Sequence, residues 1–70
     1  MEGIGIVTQW SQTEYVGTIE SDELSYIVKK QNMRRGTVLK VGDAVRFIPV
    51  NLFEGRTAQN VQPITQKSQQ

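Results

Sequence analysis

The chain has 70 residues, a formal net charge of +1, and neither cysteine nor histidine. This length holds one domain, which excludes a cleft between two domains, and the missing residue types exclude disulfides, zinc-finger ligand sets and catalysis by a thiol or an imidazole. No apolar run approaches the ~18 residues of a membrane span, the start lacks the pattern of a signal peptide, and the absence of cysteine predicts a cytoplasmic protein.

Two short β-strands are predicted at the start of the chain. Residues 3–10 are rich in β-branched and aromatic side chains, which favour strands, and residues 15–19 have a similar composition. The polar residues 11–14 between them suit a hairpin turn. Gly17, inside the second strand, predicts a bulge or the close approach of another backbone.

Residues 21–36 fit two different structures. A helix would begin with Ser21 as its cap, carry two acidic residues in its first turn and end before Gly36. A β segment would instead turn at residues 21–23 and continue as a short strand at 26–28, where Tyr-Ile-Val favours a strand. The sequence pattern alone leaves both structures open.

The rest of the chain predicts two further strands. A turn at 39–43 leads into a strand at 44–50, in which Pro49 marks a sheet edge, a bulge or the strand end. Residues 51–56 are predicted to form a loop, and residues 57–64 to form the last strand.

Five short strands predict a small all-β domain over residues 1–64, followed by a disordered polar tail at 65–70. A sandwich of two sheets is hard to fill with so few residues. A closed or nearly closed barrel removes the sheet edges and encloses one compact core, so a barrel is the predicted architecture.

The order and spacing of three segments resemble the cold-shock domain, a five-stranded antiparallel OB-fold barrel. Gly-Ile-Val at 5–7 followed by Trp10 resembles the family's opening Gly-Lys-Val-Lys-Trp-Phe strand. Leu-Lys-Val-Gly-Asp-Ala-Val-Arg-Phe at 39–47 resembles its fourth strand, and Ala-Gln-Asn-Val at 58–61 resembles its last strand. The resemblance covers residues 3–64 and favours the strand over the helix in the ambiguous segment. It implies binding of single-stranded nucleic acid by aromatic side chains on one sheet face.

Two stretches depart from the family pattern where its stacking aromatics lie. The family's Lys-Gly-Phe-Gly-Phe-Ile corresponds to Glu-Tyr-Val-Gly-Thr-Ile at 14–19, and its Val-Phe-Val-His-Phe to Tyr-Ile-Val-Lys-Lys at 26–30. Both stretches replace outward aromatics with aliphatic, hydroxyl or lysine side chains. Gapless alignment puts Trp10 at the family's second aromatic, and a one-residue bulge in the first strand would bring it to the stacking position.

Charge is unevenly distributed along the chain. Residues 1–28 carry five acidic side chains and no base, whereas residues 29–46 have a net charge of +5. This asymmetry indicates a charged partner, unless strands from the two parts pair and neutralise each other. Nucleic-acid binding needs cations for phosphates and flat side chains for bases. The candidate binding residues are Trp10, Tyr15, Lys29, Lys30, Arg34, Arg35 and Arg56. Arg56 is included because the resemblance implies a basic or polar contact at its position.

These candidates also have purely structural interpretations. Trp10 could close the barrel rim, Tyr15 could pack locally in its hairpin, and the basic segment could be a solvated loop. Tyr26 and Phe47 are assigned to the core. Phe53 lies in a predicted loop, where it is either exposed or a plug over one end of the barrel.

Two functions from different classes follow. The first is a non-enzymatic module that binds single-stranded nucleic acid, RNA before DNA, mainly through phosphate contacts with limited stacking. The second is a module for protein interaction or self-association, favoured by the lost aromatics and by an apolar outward face of Val16, Thr18 and Ile27. The acidic residues at 20–23 have no histidine beside them, so we expect no catalysis, no cofactor and no specific metal site.

Overall fold

The computed structural model describes residues 2–34 and 36–64 of the chain. Within them, five strands form one closed barrel: β1 (Gly3–Ser11), β2 (Val16–Ser21), β3 (Leu24–Lys29), β4 (Ala44–Leu52) and β5 (Gly55–Pro63). Around the barrel, the neighbours follow the order β1-β2-β3-β5-β4. The all-β, five-stranded, OB-fold-like barrel predicted from the sequence is therefore confirmed. The predicted tail at 65–70 lies outside the described residues.

The sequence predicted a wholly antiparallel barrel, but the barrel of the structure is mixed. Four neighbouring pairs are antiparallel, and β3 pairs with β5 in parallel at Ile27 and Thr57. The reason is one of parity, because an odd number of strands cannot alternate in direction all the way round a closed barrel. β3 and β5 both run in the direction of β1, and their contact closes the barrel.

The ambiguous segment forms a strand, and the helical alternative is wrong. β2 and β3 form a tight hairpin in which Ile19 pairs with Tyr26 and Gly17 pairs with Val28. The β-branched and aromatic residues at 26–28 alternate between the two faces of the sheet, so Val28 is fully buried while Ile27 lies on the outer face. A short 3-10 turn, Lys30–Asn32, follows β3.

The loop predicted at 51–56 is instead a continuation of two strands. Asn51 pairs with Arg56 and Leu52 with Gly55, leaving a two-residue turn at the tip of the β4–β5 hairpin. Gly55 supplies a backbone φ of +127°, which a residue with a side chain rarely adopts. Pro49 lies in a part of β4 that pairs with β5 alone, where one side of the strand has no partner strand.

The core fills the barrel with small and medium side chains around one large ring. Phe47 is buried, as predicted, and the partly buried Tyr26 packs on it with ring centroids 5.0 Å apart. Leu39 enters the same core from the irregular segment between β3 and β4. The buried hydrophobic residues are Val7, Ile19, Val28, Leu39, Val45, Phe47, Ala58 and Val61.

The β2–β3 turn stores backbone strain, and relieving it should stabilise the domain. Asp22 and Glu23 have φ values of 53° and 67°, the left-handed pair that two-residue hairpins usually fill with Asn-Gly. Replacing both, Asp22→Asn with Glu23→Gly, should stabilise the barrel by about 1 kcal/mol and raise Tm by about 4–8 °C. Thermal unfolding followed by circular dichroism measures the shift.

Glu20→Gly is the matched control for this prediction, since it places a glycine in the second-last residue of β2, where the backbone is ordinary strand and not the strained turn. Glu20 is exposed and lies between Ile6 of β1 and Ser25 of β3. The Glu20→Gly variant should lose about 0.5–1 kcal/mol of its free energy of unfolding. A double turn variant that melts at or below the temperature of the parent protein would contradict the assignment of strain.

Candidate nucleic-acid interface

The β1–β2 hairpin ends in a turn that holds Tyr15 in a defined position. The Tyr15 N–H donates to the Ser11 carbonyl oxygen at 2.9 Å, and the Glu14 N–H donates to Ser11 Oγ at 3.1 Å. Tyr15 has a φ of 57°, which is uncommon for a bulky residue. Its side chain is 48% exposed. The turn therefore presents an aromatic ring from a position where glycine or asparagine would be less strained.

Lys29 and Lys30 are placed beside this ring by backbone hydrogen bonds. The Lys30 N–H donates to the Tyr15 carbonyl oxygen at 3.0 Å, and the Lys29 N–H donates to Asn32 Oδ1 at 3.2 Å. The Lys30 ammonium lies 4.5 Å from the centroid of the Tyr15 ring, in a cation–π contact. A cation and a flat ring are thus held together at one end of the barrel.

Trp10 is positioned by a bulge in β1. Val7 pairs with Ile19, Gln9 with Thr18 and Trp10 with Gly17, so Thr8 is the extra residue. Directly opposed residues share a face, and Gly17 faces inwards, so the bulge turns Trp10 to the inner side rather than to the outer face. The half-buried indole packs on the core at the barrel end.

Gly17 makes this arrangement of Trp10 feasible. A Cβ atom built on Gly17 would lie 2.2 Å from the Gln9 carbonyl oxygen and 2.8 Å from Cε3 of Trp10. The close backbone approach predicted for this glycine is therefore confirmed. The indole covers the glycine where any other residue would put a side chain.

Three adjoining depressions surround the tyrosine, the lysine pair and the indole. The largest, of about 710 Å³, is lined by Glu14, Tyr15, Val16, Lys29, Lys30 and Gln31. A second, of about 490 Å³, lies on the outer face and is lined by Gln9, Trp10, Ser11, Val16, Gly17, Thr18 and Ile27. A third is lined by Trp10, Gln12, Tyr15, Lys30, Met33, Thr37, Val38 and Leu39. The structure thus brings together Trp10, Tyr15, Lys29 and Lys30 among the candidate residues.

The other candidate residues lie apart from these depressions. Arg34 turns towards β5, where its N–H donates to the Val61 carbonyl oxygen at 3.3 Å and its Nη1 to Gln62 Oε1 at 3.1 Å. Arg56 is the second residue of β5 and donates from Nε to the Ser25 carbonyl oxygen at 3.4 Å. Arg35 lies outside the described residues.

Acidic side chains reduce the positive charge of the site. Lys29 Nζ lies 3.2 Å from Glu54 Oε2 of the β4–β5 turn, and Glu14 lines the largest depression. Strands from the acidic and basic parts of the chain also pair, and Arg46 of β4 lies 3.8 Å from Glu2. The sequence asymmetry is therefore partly neutralised in space, and Lys30 is the cation of this site whose described contact is an aromatic ring.

Sequence reasoning missed several side chains that line the site. The outer face next to Trp10 carries Gln9 and Ser11 of β1. Side chains alternate between the two faces of a strand, so these residues could be assigned to the outer face only once the position of the bulge was known. Met33 and Thr37 reach the third depression from the segment after β3. Contacts of this kind depend on how the chain folds back and carry no local signal.

The outer face of β2 and β3 carries no aromatic ring among the described residues. Val16 and Thr18 of β2 lie there, with Thr18 opposite Ile27 of β3. The flat side chains of the site are therefore confined to its margin, at Trp10 and Tyr15. On this face Val16, Thr18 and Ile27 form a half-buried patch, and Glu20, Ser25 and Lys29 lie around it.

Comparison of the sequence with models of known protein families and with curated proteins gave no match. Across residues 2–34 and 36–64, no three His, Cys, Asp or Glu side chains lie close enough together to hold a metal ion. In the same described part of the chain, no helix has the length and apolar character needed to cross a membrane.

Proposed function

We propose that this barrel is a non-enzymatic, cytoplasmic module that binds single-stranded nucleic acid, RNA before DNA. The observation that carries the proposal is the contact between the Lys30 ammonium and the Tyr15 ring, with the half-buried Trp10 at the edge of the same surface. Single-stranded nucleic acid is bound by this combination, a cation for the phosphate and a ring for the base. The resemblance to the cold-shock domain supports the same class of ligand.

Phosphate contacts should dominate the affinity. Lys30 and, once released from Glu54, Lys29 are the cations next to the depressions. Stacking is limited to two rings, each contributing ~1–3 kcal/mol for a base that it covers. One face of the Tyr15 ring already carries Lys30, so a base stacks on the opposite face or displaces the ammonium. We therefore expect modest affinity with little sequence preference.

A titration with short oligo-uridine and oligo-thymidine at low salt tests the proposal. Trp10 is the one tryptophan of the chain, so its fluorescence reports on a single site. Anisotropy of a labelled oligonucleotide in the same sample reports binding that does not alter the indole. We expect both signals to change together, and the affinity to fall as salt rises with a slope of about −0.7 for each phosphate neutralised.

The two signals separate the roles of the rings from those of the cations. An anisotropy change without quenching would assign binding to the basic residues alone and leave Trp10 with a structural role at the barrel end. No change in either signal up to ~100 µM, the weak limit of non-specific binding, would contradict the proposed function.

A second candidate function is a module for protein interaction or self-association. It is favoured by the apolar outer face of Val16, Thr18 and Ile27, and by Ile4 and Ile6 of β1, which are 62% and 44% exposed. Sedimentation across a range of protein concentrations tests this alternative. A dimer that forms in place of nucleic-acid binding would favour it, whereas a strict monomer would count against self-association.

A further inference from the structure

Phe53 presents an aromatic ring away from the core at the tip of the β4–β5 hairpin. It is fully exposed, and it belongs neither to the buried core nor to the hydrophobic side chains packed on that core. The sequence left open whether this ring plugs a barrel end, and the structure excludes that role. A large apolar ring left entirely in water offers surface to a ligand.

The hairpin tip is anchored to β3 by two contacts, one from Glu54 in the turn and one from Arg56 in β5. Lys29 Nζ lies 3.2 Å from Glu54 Oε2, and Arg56 Nε donates to the Ser25 carbonyl oxygen at 3.4 Å. Glu54 is the neighbour of Phe53, and Lys29 also lines the depression that contains Tyr15. The ion pair ties the tip to the end of β3 that carries the proposed phosphate contacts, and the Arg56 contact ties it to the start of the same β-strand.

The backbone of the tip is itself well defined. Gly55 follows the turn with a φ of +127°, and Thr57 Oγ1 donates to the Gly55 carbonyl oxygen at 3.2 Å. Thr57 is buried beside the point where β5 closes the barrel on Ile27. The turn that carries Phe53 is therefore continuous with a packed and hydrogen-bonded part of the barrel.

We propose that Phe53 is a second stacking site for a base of the same strand that occupies the Tyr15 and Trp10 surface. This inference rests on the proposed function and extends it to a longer ligand. The nucleic-acid strand runs from Tyr15 across Lys29 to the hairpin tip. There a base lies on the Phe53 ring and Arg56 contacts a neighbouring phosphate. Glu54 gives up its ion pair with Lys29 as the phosphate takes its place.

The surroundings of the ring favour a base over a protein partner. Phe53 lies in the chain between Leu52, which is 40% exposed, and Glu54, which forms the ion pair with Lys29, and Arg56 follows two residues after Glu54. Protein interfaces concentrate their energy in apolar clusters that become fully desolvated. A single exposed ring, with Arg56 three residues away and with Lys29 paired to the adjacent Glu54, matches a platform for a base, because every base offers a flat face and carries a phosphate beside it.

Phe53→Ala tests the proposal through the length of the oligonucleotide. Affinities for oligo-uridines of about 4, 8 and 12 nucleotides are compared, which lie within the range of ~4–16 nucleotides for one OB fold. The variant should lose about 5- to 10-fold in affinity for the longer oligomers and less than about twofold for the shortest. An abasic site at the end of the oligomer that reaches Phe53 should lower the affinity of the parent protein by a similar factor and leave the affinity of the Phe53→Ala variant unchanged.

Val41→Ala is the control, because it removes an apolar side chain that is 64% exposed, lies before the start of β4 at the end away from Phe53, and lines none of the three depressions. Labelling with 4-fluorophenylalanine gives a second readout, since the chain has two phenylalanines and the buried Phe47 serves as an internal reference. The resonance of Phe53 should shift with the long oligomer and not with the short one.

The outcomes distinguish this inference from the proposed function. If the parent protein binds every oligomer and Phe53→Ala binds them equally well, the second stacking site is excluded while the function stands. If the parent protein binds none, the proposed function fails and this inference with it. If Phe53→Ala instead abolishes a dimer seen in sedimentation, the ring belongs to a protein contact and the proposal is overturned.

Discussion

Replacing Gly17 with alanine should remove most of the stability of the barrel. The new Cβ would lie 2.2 Å from the Gln9 carbonyl oxygen and 3.1 Å from the Gln9 carbonyl carbon, and backbone atoms of a paired strand cannot move aside without breaking the pairing. Overpacking of this kind costs about 3 kcal/mol, which matches the ~3–5 kcal/mol that a core of this size supplies. Urea unfolding should show a midpoint near zero denaturant for Gly17→Ala and a cooperative transition for the parent protein.

Gly36→Ala is the control that separates the effect of this close contact on stability from the effect of losing a glycine. Gly36 has a φ of +84°, and no atom lies within 4 Å of its added Cβ, so the substitution strains the backbone alone. It should cost about 1 kcal/mol. A Gly17→Ala protein no less stable than Gly36→Ala would show that the β1–β2 pairing tolerates the methyl group, and would contradict the role assigned to Gly17.

The fold was predictable to the extent that local composition determines it. The β-branched start of β1 marks a strand because such side chains fit a pleated, half-buried surface, whereas the Tyr-Ile-Val run of β3 left helix and strand open until the family resemblance favoured the strand. The close approach at Gly17 was also visible, because a glycine in a strand has few other reasons to be there. These signals require no knowledge of which strands become neighbours.

A one-residue bulge in β1 that would bring Trp10 to the stacking position was considered from the sequence, and the structure has this bulge but turns Trp10 to the inner side. The bulge in β5 was not predicted. Thr8 is extra in β1, and Asn60 and Val61 of β5 together oppose the single residue Phe47 of β4. Asn60 has a φ of 54°, so its role is to allow this bend in the backbone. A bulge reflects the strain of closing a barrel, which local sequence does not encode, and the one in β1 decides on which face Trp10 lies.

The site itself was predictable as a set of residue types and not as an arrangement. The basic pair at Lys29 and Lys30 stood out by its charge, whereas its partners Tyr15 and Glu54 come from other parts of the chain. The ion pair with Glu54 joins residues 25 positions apart, so no sequence window contains it. Whether a basic residue can meet a phosphate depends on such partners, which only the folded chain brings close.

Reversing the charge of Lys30 should weaken nucleic-acid binding more than any other single change to a cation of the site. Lys30→Glu removes the ammonium next to Tyr15 and places a second carboxylate near Glu14, in the largest depression. We expect affinity for single strands at low salt to fall ~10-fold or more, equally for uridine and thymidine oligomers, and the salt slope to shrink by about 0.7. Anisotropy titrations at several salt concentrations measure both quantities.

Two controls tie this effect to position rather than to total charge. Arg46→Glu makes the same change in net charge on β4, where Arg46 lies beside Glu2 and lines none of the three depressions. It should reduce affinity only through the weak, screened field of the whole domain. Because Lys30 and Arg46 are exposed, both variants should remain folded, and thermal unfolding checks this.

Neutralising each lysine of the pair in turn gives the sharper comparison. Lys29 already pairs with Glu54, so phosphate binding must displace a carboxylate, whereas Lys30 only gives up a cation–π contact of about 0.5–1 kcal/mol at an exposed site. Lys30→Gln should therefore lower affinity more than Lys29→Gln, although the charge removed is the same. Equal losses would mean that the Glu54 ion pair does not compete with phosphate. No loss from either variant, or from Lys30→Glu, would mean that this surface does not bind nucleic acid through its cations, and the patch of Val16, Thr18 and Ile27 would then become the surface to test.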